Sequence, residues 1–131
     1  MTLVLVEAAA AGRTGLGFTD GSPATAPVIE HELAELVVGH DVCDVPAATD
    51  RMSRALHNAG RPGIAPDAVS AVDTARWDVK ARLLSLPLVH LLGRGPRRGR
   101  GAVYGSGGLT RTTTNSSKSN CAAGPSRAST A

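Results

Sequence analysis

One helical period restricts this fold more than any other feature. After Pro66, with Asp67 as its cap, Ala68, Val72, Ala75, Val79, Leu83 and Leu86 recur at helical spacing. A stripe of that length must be covered by other elements, so the chain carries a long amphipathic helix packed on a partner layer. Pro87 ends or kinks the run, and "LVHLLG" closes it at Gly93.

The partner layer is legible upstream. "TLVLVEAAA" is rich in β-branched and aliphatic residues, "AGRTG" is turn chemistry, and "LGFTD" is short and extended, which predicts a hairpin over 2–20. Gly12 and Gly15 are available there for positive φ. A lone hairpin is marginal in water and needs a third strand or a helix against it. Two further helices are expected. Over 24–38, Val28, Ile29, Leu33, Leu36 and Val37 share a face, with Gly39 as the stop. Over 46–59, Met52, Leu56 and Ala59 make a thinner stripe, ending at Gly60. The fold class is therefore α+β: an antiparallel β-hairpin followed by three helices.

Charge divides the chain where this pattern ends. Up to Gly93 there are seven Lys/Arg against eleven Asp/Glu, a net −4; from Arg94 onward there are seven and no acid, a net +7. "RGPRRGRG" reads as a linker, and "AVYG" as the start of one buried strand. After Thr110 the sequence has no period and no packable stripe, so a disordered tail is expected over 111–131. Two cysteines, Cys43 and Cys121, make no disulfide framework. The opening run carries Glu7 and lacks a basic leader, and no stretch approaches a membrane span, so a cytoplasmic protein without membrane contact is expected.

The stretch "GIAPDAVSAVDTARWDVKARLLSLPLVHLLG" resembles the long helix that closes the N-terminal capping domain of the enolase superfamily, in its mandelate racemase and muconate lactonizing enzyme branch. The Trp77-Asp78 signature, Pro87 and Leu91-Leu92-Gly93 carry the resemblance, "GRTGLGFTD" is similar to that domain's hairpin, and "AVYGSGG" to the first strand of its barrel. The resemblance implies an α+β cap joined to a TIM-type barrel. There a divalent metal, usually magnesium, stabilises the enolate formed when a base removes the proton next to a carboxylate. The family's lysine bases lie on the second barrel strand and its acidic metal ligands on the third to fifth. A barrel takes about 250 residues. Here the only lysines are Lys80 and Lys118, and no acidic residue follows Asp78. No catalytic, cofactor-binding or metal residue carries over.

The expectation is thus a capping domain over 1–93 lacking the family's first strand, a linker and orphan barrel strand over 94–110, and the tail. The chain reads as a truncated, inactive fragment of a magnesium-dependent racemase, dehydratase or cycloisomerase acting on a carboxylate or sugar acid. Tyr104 and Ser106 would line the pocket of a complete barrel. Back-translated with GC-rich codons and given one extra base after Thr110, the tail reads "TTYHHEQLEEQLRGWAEQGIHR", an amphipathic helix of the type that follows the first barrel strand, so a frameshift is expected.

Other readings carry less. The Arg/Gly run would suit nucleic acid as a small binding module, but only Tyr104 offers an aromatic beyond it. "YGSGG" lacks the glycine that a nucleophile elbow needs two residues before its serine, and the Gly-Lys ending of a phosphate loop. His31, His40, His57 and His90 are scattered without ligand spacing. Asp73 and Asp78 are expected as polar anchors at the seam between cap and barrel, Trp77 and Cys43 as packing residues. Arg76 stands where the family pattern has leucine, so it either snorkels outward or places a charge at the core edge. Apolar seam residues such as Leu88 and Val103 would favour self-association. A separately encoded barrel is a third reading of the partner.

Overall fold

The computed structural model describes residues 2–60 and 63–93. Strands β1 (Thr2–Ala10) and β2 (Arg13–Gly21) pair antiparallel from Thr2↔Gly21 to Ala10↔Arg13. The two-residue connection has positive φ at both Ala11 (46°) and Gly12 (75°), the turn whose twist suits a hairpin. Gly15 does not supply a turn, contrary to expectation: β2 begins at Arg13, and Gly15 lies in the strand.

The first expected helix is a run of three segments, α1 (Thr25–Val28), a π segment (Ile29–Leu33) and α2 (Ala34–Val37), ended by extended Val38 and by Gly39 at φ 80°. The second, α3, covers Val45–Ala55 and passes into a 3₁₀ turn, His57–Ala59. Its stripe is Val45, Ala48, Met52 and Leu56, whereas Ala59 is exposed. Asp44 caps it by accepting the Ala47 N–H at 3.3 Å, with Pro46 in the first turn.

The long helix, α4, spans Ile64–Leu83. Gly63, not Asp67, holds the cap position; Pro66 and Asp67 sit in the first turn, where a missing N–H costs nothing and a carboxylate favours the dipole. Leu86 lies beyond the helix end. Its N–H donates to Ala81 O (3.0 Å) and that of Ser85 to Arg82 O (3.3 Å), a Schellman closure with Ser85 at φ 52° in the place glycine usually takes. Pro87 then opens the short α5 (Leu88–Leu91).

Leu33, Met52, Leu56, Ala65, Ala68 and Val72 form the core between α4, α3 and the π segment, with Val6 of β1 packed against it. The hairpin lays its other apolar face outward: Leu3, Leu5, Leu16 and Phe18 are all exposed. The inward face is what places α4. A Cβ on Gly15 would lie 2.4 Å from Ala75 O, and one on Gly17 only 2.0 Å from Ala71 O. Glycine on the strand and alanine on the helix let the two backbones touch.

Candidate functional site

α4 carries the residues that the sequence singled out, and their partners are within this domain. Asp78 accepts the Leu16 N–H at 2.8 Å and Arg82 Nε at 2.9 Å, so it fastens the helix to the edge of β2. The Leu16 hydrogen bond first, and Arg82 with it, holds the Asp78 carboxyl below its ordinary pKa, against its partial burial, which raises it. Asp73 accepts a hydrogen bond from Thr49 Oγ1 of α3, whose hydroxyl also reaches Val45 O. The two aspartates therefore tie α4 to β2 and to α3 inside the cap rather than standing as a carboxylate pair.

One turn apart on α4, Arg76 and Lys80 form a second device that the sequence reading missed. Arg76 is buried, 5% exposed. Its Nη2 donates to Asp41 O (2.7 Å) and its Nη1 to Val37 O (3.5 Å). Lys80 Nζ donates to Cys43 O at 2.7 Å and lies 5.0 Å from the Trp77 ring centroid. From α3, Arg51 Nε reaches Leu36 O at 3.4 Å. Three cations thus hold the carbonyls ending α2 and the loop that follows, where the helix dipole and unpaired carbonyls favour positive charge. Burial lowers the Arg76 pKa and Arg51 adds to this, while Asp41, Asp44 and Asp73 oppose it. Arg76 Nε is buried without a hydrogen-bond acceptor among the described residues. The i,i+4 spacing of Arg76 and Lys80 was the available signal; their targets are backbone oxygens, which no side-chain pattern shows.

The chemistry that the resemblance implies needs convergent donors around a divalent cation. Among the described residues no group of three His, Cys, Asp or Glu could hold one. Asp41 receives the Cys43 N–H, Asp44 caps α3, Asp50 pairs with Arg54 at 2.8 Å, and Asp73 and Asp78 are engaged as above. These residues do not fit a magnesium site. Tyr104, Ser106, the Arg/Gly linker, the expected strand and the tail lie outside the described residues. No helix among the described residues is long and apolar enough to cross a membrane.

The fold and sequence of this domain match known proteins. The profile described as "Mandelate racemase / muconate lactonizing enzyme, N-terminal domain" matches residues 1–93. An L-rhamnonate dehydratase of Saccharopolyspora erythraea is 36% identical over 107 residues, covering 82% of this chain and 27% of that protein. A mandelate racemase/muconate lactonizing enzyme-like protein from Rubrobacter xylanophilus superposes with TM-score 0.65 at 49% identity, over 68% of this chain and 25% of that one. L-Talarate dehydratase from Polaromonas sp. JS666, complexed with Mg and L-glucarate, superposes with TM-score 0.62 at 30% identity, over 92% of this chain and 34% of its own. The chain spans about a quarter of the length of the curated relatives it matches.

Proposed function

This chain belongs to the mandelate racemase / muconate lactonizing enzyme family through its N-terminal domain, and from that premise we propose that it supplies a cap and carries no reaction centre of its own. The observation that carries this reading is the end of the domain. Leu84, Leu86, Leu88, Val89 and Leu92 are 38–63% exposed in one short stretch, where the polypeptide leaves α4 and α5. Apolar side chains so concentrated suit a surface made to be covered by further protein. The reacting groups are then borne by polypeptide that this sequence does not contain. Lys80 is committed to Cys43 O and Trp77, and no acid follows Asp78.

The parent reaction is removal of the proton alpha to the carboxylate of a sugar acid, by a racemase, dehydratase or cycloisomerase. The dehydratases among the relatives support that substrate class. Magnesium, when bound to such an enzyme, withdraws charge from the enolate oxygen. The residues of this chain contribute a rigid platform: the glycine–alanine contact, the Asp78 anchor and the three-cation clamp fix α4 relative to the hairpin and the α2–α3 loop. Uncovered, the same apolar stretch makes the isolated chain self-associate, which sedimentation at rising concentration reads directly.

We place the domain over 1–93, a linker and first barrel strand over 94–110, and a frameshifted tail over 111–131. Nucleotide sequencing across codons 108–131 and beyond tests this. A one-base shift opening a frame that continues the barrel supports it; no such continuation in any frame overturns the frameshift reading.

A further inference from the structure

We draw no further inference here: the strongest candidate, the apolar patch of Leu3, Leu5, Leu16 and Phe18 on the outward face of the β1–β2 hairpin, is an unpartnered sheet face, and nothing in the structure shows what covers it.

Discussion

Gly17→Ala tests whether backbone contact between β2 and α4 builds this domain. The added Cβ would sit 2.0 Å from Ala71 O and 2.7 Å from Ala75 N, well inside the 3.4–4 Å of ordinary contact. Both obstacles are backbone, so no side-chain rotation relieves them. Either α4 moves off the sheet or the strand bends, and overpacking of this kind costs about 1–3 kcal/mol, occasionally more. Two clashes against rigid backbone put the expected loss at the upper end, about 3 kcal/mol. The lower chain entropy of alanine in the unfolded state returns only about 0.4–1 kcal/mol. That leaves a net loss of about 2–2.6 kcal/mol, and for a domain of this size each kcal/mol moves the melting midpoint by about 4–8 °C, so a drop of about 8–21 °C is expected by circular dichroism. Gly21→Ala is the internal control. Its Cβ would meet only the Asp67 carboxylate, Oδ2 at 3.1 Å and Cγ at 3.9 Å, the far end of a side chain that can move, so its stability should stay within about 1 kcal/mol of the parent. If the two variants melt together, close backbone approach is not what the glycines provide.

Arg76→Leu exchanges a buried cation with an unsatisfied Nε for an apolar residue, so global stability should hold or rise by about 1 kcal/mol; amide exchange in the loop 38–44 should quicken as the Asp41 O contact is lost, and a large fall in stability would contradict this. Asp78→Asn should flatten the acid limb of stability. The folded pKa of Asp78 lies below its unfolded value of about 3.9, so its contribution is present above that pH and disappears as pH falls through the folded pKa. Urea titrations at neutral pH and below about pH 3 measure it, and equal losses at both would refute it. Asp44→Ala removes the α3 cap and should cost about 1 kcal/mol in the same titration; no loss would show that the 3.3 Å contact to Ala47 does not cap the helix.

Most of the element order is readable because the elements state it locally. The alternation of β1, the Ala11-Gly12 turn and the α4 stripe each announce themselves within a few residues. The errors fall where a residue serves a distant partner. Gly15 resembles turn chemistry, yet α4 requires it, more than fifty positions away. Leu86 continues the helical period but is drawn out of the helix by its bond to Ala81 O. Ala59 completes a stripe on paper, although the 3₁₀ turn has already rotated it into solvent. The π segment has no signature in residue type. Asp73 and Asp78 were expected as polar anchors at a seam with the barrel; among the described residues they anchor α4 to Thr49, Leu16 and Arg82. The Arg76 alternatives resolve to burial, because loop carbonyls offer acceptors that a sequence cannot locate. Family membership was legible for a different reason: Trp77-Asp78, Pro87 and Leu91-Leu92-Gly93 agree in order as well as in type.

The most direct test of a cap without a reaction centre is solvent deuterium exchange at the carbon next to the carboxylate. L-Rhamnonate, L-talarate and L-glucarate are incubated in deuterium oxide with the purified chain and magnesium, and followed by proton NMR. Exchange needs only proton removal, so it reports a base and an enolate even where no product accumulates. The expected result is exchange no faster than in magnesium-containing buffer alone. Wash-in above that background, proportional to chain concentration, would place a working base within this chain and contradict the reading.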